Sequence, residues 1–169
     1  FFRNDIAASL RERYGPARVI TAIAMFYDLD DPAMFLEGVR SMLADDGLFV
    51  IQMNYLGAML QNDTLDNISH EHVCYYSLAT LMPILHRTGF VPIDVEENDV
   101  NGGSFRIYCT LDMAGRGCPG GFNRIWDMLH RESSLGLDEP ATYNRFAERA
   151  EKALADIAEI YGLKKEPPP

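Results

Sequence analysis

The stretch that decides the fold is Ala17–Met53, ARVITAIAMFYDLDDPAMFLEGVRSMLADDGLFVIQM. It opens and closes with nearly continuous apolar runs, which are typical of strands covered by helices on both faces. Between the runs, Asp31 is placed to cap a helix that has Pro32 at its first position and continues to the turn at Gly47. Strand, helix and strand in this order, with a right-handed crossover, predict parallel strands of an α/β sheet.

Downstream of this unit the chain continues in the same manner. Ser77 is placed to cap a helix that ends at Gly89. The segments 90–100 and 103–113 then read as two strands joined through Asn101-Gly102-Gly103, a strong signal for a tight turn. This hairpin predicts one antiparallel strand at the edge of an otherwise parallel sheet.

The last third of the chain changes character. AGRGCPGG, residues 114–121, reads as a flexible glycine-rich connection, and amphipathic helices are predicted over 122–136 and 138–163. We therefore divide the chain into a sheet-forming part, residues 1–112, and a part made of the glycine-rich loop and C-terminal helices, residues 113–169.

Composition excludes some classes of function. Among 169 residues, 25 acidic and 15 basic side chains give a formal net charge of −10, a surface that repels the phosphate backbone of nucleic acids. No apolar run approaches the roughly 18 residues that span a bilayer. Three cysteines do not make a disulfide framework, which favours a reducing compartment such as the cytoplasm.

The stretch Asp66–Ser77, DNISHEHVCYYS, concentrates the chemistry. His70 and His72 would point the same way on an extended chain, with Cys74 continuing the row, as metal ligands could. His-x-His is short and common, however, and no CxxC or HExxH accompanies it, so we predict no metal. A neutral histidine beside a carboxylate, His72 beside Glu71, would instead suit acid–base catalysis. Composition alone favours a third interpretation, that this stretch is an ordinary polar loop.

A second candidate is the stretch NGGSFR, residues 101–106. Gly102 and Gly103 could let backbone N–H groups approach a phosphate, with Arg106 adding charge. The pattern lacks the full glycine spacing of known phosphate loops, so a hairpin turn is the better interpretation on these grounds.

Two motifs in order carry a resemblance to a known family. Residues 70–108 run HEHVCYYSLATLMPILHRTGFVPIDVEENDVNGGSFRIY. This segment resembles sugar C-methyltransferases that act on nucleotide-linked keto-deoxysugars, with their H-E-H-x-x-Y-Y-S run and G-G-S-x-R strand. Residues 17–53 resemble the second half of a class I S-adenosylmethionine-dependent methyltransferase domain. The resemblance implies a partial Rossmann-like sheet, mostly parallel with a terminal antiparallel hairpin, followed by C-terminal helices.

The resemblance also implies a reaction and its residues. The enzyme would transfer a methyl group to a sugar carbon beside a ketone after that carbon has lost a proton. His72 matches the base and Glu71 the carboxylate beside it, while His70 and Arg106 are candidates to stabilise the enolate. Further candidates for contact with the sugar are Tyr75, Tyr76, Arg106 and Asn101.

S-adenosylmethionine is the implied cofactor, bordered by Ala24, Met25 and Phe26 at the carboxyl end of the first strand. In the family, the glycine-rich loop that holds the cofactor lies upstream of the matching segment. We therefore expect a fragment that alone binds S-adenosylmethionine weakly and is inactive. The expected partner is a small nucleotide sugar, with a homo-oligomer also considered. The alternative is a non-catalytic α/β module for binding or oligomerisation.

Overall fold

The computed structural model describes residues 2–111 and 118–162. Within these ranges, helices and strands follow each other in an α/β order, and their bounds are α1 Asn4–Tyr14, β1 Ala17–Ile23, α2 Pro32–Met42, β2 Leu43–Asn54, α3 Leu56–Asn62, α4 Leu78–Arg87, β3 Val91–Asn98, β4 Ser104–Thr110, α5 Gly121–Leu135 and α6 Pro140–Tyr161. Short 3₁₀ turns lie at Phe26–Asp28, Leu65–Asn67 and Val100–Gly102. The predicted strand–helix–strand unit and the helix after Ser77 are confirmed.

The described strands form one sheet in the order β1-β2-β4-β3. β1 and β2 are parallel, as predicted, and β4 is antiparallel to both β2 and β3. Three strands therefore run one way, and the fold class is confirmed. The expectation that the antiparallel strand lies at the edge is wrong, because β4 lies between β2 and β3. The strand at this edge is instead β3, which carries Pro92, Glu96 and Glu97, residues suited to an edge strand.

The main core lies on one face of this sheet. Its alternate apolar residues pack against α2 and α4, with α1 in turn packed on α2. The sheet residues that share this core include Ala22, Phe49, Ile51, Met53, Val95, Phe105, Ile107 and Cys109. Val19 and Ile23 of β1 are 59% and 48% exposed among the described residues. The described part of the chain therefore covers one face of β1, whereas the sequence predicted that both faces would be covered.

Helix α2 begins as predicted and ends earlier than predicted. The Asp31 carboxylate accepts the N–H of Met34 at 2.9 Å. The helix ends at Met42, and the next strand begins at once instead of after Gly47. Arg11 of α1 donates to the carbonyl oxygens of Ser41 and Leu43, at 2.8 and 3.1 Å. These long-range bonds satisfy carbonyls that a longer helix would have used.

Helix α5 lies against the edge strand β3. Ile125 and Met128 reach the main core, and Arg124 forms two hydrogen bonds with the Asp94 carboxylate, at 2.7 and 2.6 Å. The Arg124 guanidinium holds the pKa of Asp94 below its ordinary value, because its hydrogen bond favours the charged form.

One carboxylate joins α5 to the start of α4. Glu132 is 2% exposed and accepts the N–H groups of Leu78 and Ala79, at 2.6 and 2.8 Å. Ser77, as predicted, caps the same helix by accepting the N–H of Thr80. A charge from another helix thus completes the N-terminus of α4, where free N–H groups and the helix dipole favour an anion.

The close approach of α5 to β3 depends on Gly121. A Cβ atom there would lie 2.2 Å from the carbonyl oxygen of Ile93, which is backbone and has little freedom to move. We expect Gly121→Ala to lower the free energy of unfolding by about 1–3 kcal/mol, the usual cost of overpacking, measured by urea denaturation. Gly38→Ala, inside α2, is the matched control, and we expect a smaller loss there. A Cβ at Gly38 would lie 3.2 Å from the Phe2 ring and 3.3 Å from the Arg3 backbone, farther than the 2.2 Å contact at Gly121. Equal losses in both variants would contradict the packing argument.

The long helix predicted at the C-terminal end is confirmed as α6. Phe146 packs on α3, and Arg149 donates to the Asp63 carboxylate and to the carbonyl of Leu60. Residues 114–117 of the loop predicted over 114–121 lie outside the described residues, and the division after residue 112 stays a prediction. Among the described helices, none is both long enough and apolar enough to cross a membrane.

Candidate active site

The histidine-rich loop, residues 63–77 between α3 and α4, lies across the carboxyl ends of β1 and β2. After β1, the carbonyl of Tyr27 accepts the N–H groups of Val73 and Cys74, at 3.0 and 3.1 Å. After β2, the N–H of Leu56 donates to the carbonyl of Tyr76 at 3.0 Å. These bonds place the loop at the sheet edge where ligands gather in open α/β folds.

The two histidines of the loop have different surroundings. His70 is exposed, whereas His72 is half-buried, and the N–H of His72 closes a turn on the carbonyl of Ser69 at 3.2 Å. The extended row that would have aligned both rings with Cys74 is therefore not formed. In residues 2–111 and 118–162, no group of three His, Cys, Asp or Glu side chains could hold a metal ion.

The ring of His72 is oriented by two neighbours. Its Nδ1 lies 2.8 Å from the carbonyl oxygen of Asn67, and its centroid lies 4.3 Å from that of Tyr27. A carbonyl oxygen only accepts, so Nδ1 carries the proton of the neutral ring and Nε2 carries the lone pair. No residue of the described part of the chain is bonded to Nε2. The ring thus presents a basic nitrogen at the carboxyl edge of the sheet.

Glu71, predicted beside His72, is exposed, and its backbone N–H donates to Ser69 Oγ at 3.1 Å. The group that bonds the imidazole is the carbonyl of Asn67, which the sequence did not single out. Tyr75 is half-buried and donates to this same carbonyl at 3.1 Å. Tyr76 is buried and packs against Phe26, with ring centroids 5.6 Å apart. Burial raises the pKa of Tyr76, so its phenol stays protonated.

Arg106 lies on the sheet face opposite the main core. It pairs with Gln52 across β4 and β2, and the Gln52 amide oxygen accepts its Nε and Nη2 at 2.9 and 2.5 Å. Glu96 is 3.8 Å from Nη1, and Tyr108 donates to this carboxylate at 2.8 Å.

Gln52 and Asn54 were missed by the sequence analysis. Their signal is a period of two, with polar residues at alternate positions inside the apolar strand LFVIQMN.

The NGG segment is a hairpin turn, as the sequence favoured. Gly102 has φ +77°, and a Cβ there would lie 2.4 Å from Thr64 Cγ2. The glycine thus allows the turn to pack on the start of the histidine-rich loop. Asn101 is exposed, with φ +52°, and its carbonyl accepts the Asn67 side chain at 3.1 Å.

The three predicted cofactor residues follow β1. Ala24 is exposed in a left-handed conformation, φ +52°, and its N–H donates to the carbonyl of Gln52 at 2.9 Å. Met25 is half-buried, and Phe26 is 0% exposed in the main core. Met25 lines a cavity of about 410 Å³, together with Phe2, Arg3, Asp28, Leu29, Asp30, Asp31, Met34 and Phe35.

Two family models match the chain in sequence. A methyltransferase domain matches residues 2–95, more than half of the chain, and a C-methyltransferase C-terminal domain matches residues 99–166. The chain belongs to the methyltransferase family that the first model describes, and its C-terminal part is similar to a C-methyltransferase domain. This membership confirms the methyltransferase family predicted from the two motifs, and S-adenosylmethionine is the cofactor of the family.

A curated C-methyltransferase, NovU from Streptomyces niveus, is 33% identical over 159 residues, 94% of this chain. The chain spans 37% of the length of that relative. Solved methyltransferase structures are more distant. A chain of the Trm112–methyltransferase complex from Haloferax volcanii is 14% identical, with a TM-score of 0.47 over 57% of this chain and 54% of that one. A possible histamine N-methyltransferase from Thermotoga maritima is 14% identical, with a TM-score of 0.46 over 56% of each chain.

Proposed function

We propose that this chain carries the catalytic loop of an enzyme that methylates a carbon beside a ketone in a nucleotide-linked keto-deoxysugar. His72 is the general base of this reaction. The observation that carries the proposal is the bond from His72 Nδ1 to the Asn67 carbonyl, which leaves the lone pair on Nε2. The match of residues 99–166 to a C-methyltransferase domain supports methyl transfer to carbon, and the order of the HEH and GGS motifs supports the sugar.

The proton transfer follows from the chemistry of carbon acids. Nε2 of His72 takes the proton from the carbon beside the ketone. The C–H electron pair then forms a C=C bond to the carbonyl carbon, and the π pair of the C=O bond moves to the oxygen, which gives the enolate. S-adenosylmethionine, when bound, supplies an electrophilic methyl group to which the enolate carbon is the complementary nucleophile. The imidazolium that forms lies beside the Tyr27 ring, 4.3 Å between centroids, which favours a positive charge.

The enolate needs a nearby donor or cation. His70 is exposed and has no partner among the described residues, so it is free to turn toward a substrate. Arg106 already bonds Gln52 through two of its nitrogens, and we propose that this pairing holds its charge in place beside the substrate. Glu71 remains the proposed carboxylate of the proton transfer, and Tyr75 and Asn101 remain proposed contacts with the sugar. The buried Tyr76 supports the loop by packing against Phe26.

The cavity beside Met25 is the proposed place for part of the cofactor. Apolar walls from Met25, Leu29 and Phe35 suit a flat base, and the carboxylates of Asp28 and Asp30 suit ribose hydroxyls or positive charge. This lining fits S-adenosylmethionine, which carries an adenine base, ribose hydroxyls and positive charge. Ala24 and Phe26 shape this wall through the backbone turn and the packing under Met25.

The proposed function is tested with the full-length protein and a nucleotide-linked keto-deoxysugar in D₂O. Without S-adenosylmethionine, we expect solvent deuterium to enter the carbon beside the ketone, because the base works before methyl transfer. With the cofactor, NMR of the product should show a new C–C bond at that same carbon. The corresponding alcohol is the control, since it lacks an acidic C–H. Methylation on oxygen, or product without any exchange, would contradict the mechanism.

Three narrower expectations stay predictions. Calorimetry on the 169 residues alone would measure whether they bind S-adenosylmethionine weakly and fail to turn over. Sedimentation would test the homo-oligomer and the alternative reading as an association module, for which the exposed Val19 and Ile23 of β1 supply apolar surface. The cytoplasmic location rests on the sparse cysteines.

A further inference from the structure

The side chain of Asn67 is the most fully bonded group of the histidine-rich loop. It is 6% exposed, although its neighbours Asp66 and Ile68 are exposed. Its Oδ1 accepts from Asn54 Nδ2 at 2.5 Å, and its Nδ2 donates to Thr64 Oγ1 at 3.2 Å. The same Nδ2 also donates to the hairpin carbonyl of residue 101 at 3.1 Å. One amide therefore ties the loop to the end of β2 and to the β3–β4 turn.

The backbone carbonyl of Asn67 faces the proposed base. It accepts His72 Nδ1 at 2.8 Å and the Tyr75 hydroxyl at 3.1 Å, which occupies both oxygen lone pairs. The position of this carbonyl decides which imidazole nitrogen is protonated. A ring with the proton on Nε2 would lose this bond and could not accept a proton from substrate at that nitrogen.

The surroundings of Asn67 are rigid enough for such a role. Gly102 brings the turn into contact with Thr64, where a Cβ would come within 2.4 Å of the Thr64 methyl group. Asn54 is 9% exposed at the end of a central strand. Asn54 and the hairpin turn thus hold the amide from outside the loop.

We propose that Asn67 is a positioning residue, which holds His72 in the tautomer with the proton on Nδ1 and the lone pair on Nε2. The inference rests on the proposed function for the identity of His72 as the base. The tautomer itself is a property of the folded protein, and it is measured without substrate.

The test uses the full-length protein with ¹⁵N-labelled histidine. Long-range ¹H–¹⁵N spectra distinguish a protonated ring nitrogen from an unprotonated one, and the resonance of His72 is identified by its loss in His72→Asn. We expect a single tautomer with Nδ1 protonated in the wild type and a mixture of tautomers in Asn67→Ala. We also expect kcat of Asn67→Ala to fall on the order of 10²-fold, as misplaced catalytic groups do, with binding of S-adenosylmethionine unchanged.

Asn62→Ala is the matched control. Its Nδ2 donates to the carbonyl of Gly102 at 3.0 Å, so it holds the same turn without touching the loop. We expect it to keep both the wild-type tautomer and the wild-type rate. If circular dichroism shows that Asn67→Ala does not fold, Asn54→Ala is used in its place, because it removes the donor to Asn67 and leaves the loop sequence intact.

The outcomes separate the two proposals. An unchanged tautomer in a folded Asn67→Ala or Asn54→Ala, or a wild type with Nδ1 unprotonated, would overturn the positioning role. The tautomer could also shift in Asn67→Ala while the wild type never exchanges substrate hydrogen. That result would leave Asn67 as the residue that positions His72, and it would remove His72 from catalysis.

Discussion

His72→Asn is expected to abolish methyl transfer, with kcat lower by about 10²–10⁴-fold, the range that a general base contributes. Asparagine keeps a polar side chain that can still donate to the Asn67 carbonyl, so the loop should retain its course. It has no group that accepts a proton near neutral pH. The measurement is the initial rate of methyl transfer by the full-length protein at saturating cofactor. Calorimetry should give the same Kd for S-adenosylmethionine in variant and wild type.

His86→Asn is the matched control for this experiment. His86 is an exposed residue of α4, outside the loop and its bonds, so the substitution should leave the rate unchanged. A His72→Asn enzyme that turns over at the wild-type rate would show that another group takes the proton. A variant that loses cofactor binding as well would indicate damage to the cofactor site rather than loss of a base.

How far the sequence predicts this fold depends on how local each signal is. Asp31 and Pro32 predicted the start of α2 because a cap acts within three residues of itself. The end of α2 was not predictable in the same way. It depends on Arg11, which bonds carbonyls 30 and 32 residues further along the chain. Contacts of this separation exist only once α1 has packed on α2.

The position of β4 shows the same limit at the level of the sheet. The NGG turn predicts a hairpin correctly, but a turn does not specify which of its two strands faces β2. The interior position went to the strand whose alternate residues Phe105, Ile107 and Cys109 are all fully buried. Burial on that scale is a property of the finished sheet, and the sequence showed it only as an apolar strand among others.

The same distinction between local and long-range signals applies to the candidate site. The type of side chain needed for proton transfer is visible in a sequence, so the family resemblance could propose His72 as the base. The group that bonds the His72 ring is a backbone carbonyl, and every residue has one. Only the fold shows that the carbonyl of Asn67 is fixed by an amide that reaches both β2 and the hairpin turn. The same bonds give a physical reason for the HEH and NGG motifs to occur together.

The largest expected effect on stability comes from Glu132→Ala. The substitution removes the acceptor of the N–H groups of Leu78 and Ala79 and leaves at least the first of them buried without a partner. We expect the free energy of unfolding to fall by about 3 kcal/mol, since hydrogen bonds to buried charged groups are among the strong ones. Urea denaturation measures the loss. Glu151→Ala, at an exposed position of α6, is the control and should change stability little.

The pH dependence of this loss has a definite sign. Burial raises the pKa of Glu132 above its ordinary value of 4.5, against the opposing effect of its hydrogen bonds. The folded protein therefore binds this proton more tightly than the unfolded chain, and the carboxyl's contribution to stability falls as pH rises from 4.5 through the folded pKa. Glu132→Gln has no proton to lose, so the stability of the wild type relative to this variant should decrease over that interval and then level off. A difference that increases with pH would mean that the hydrogen bonds outweigh burial and that the carboxylate is held charged.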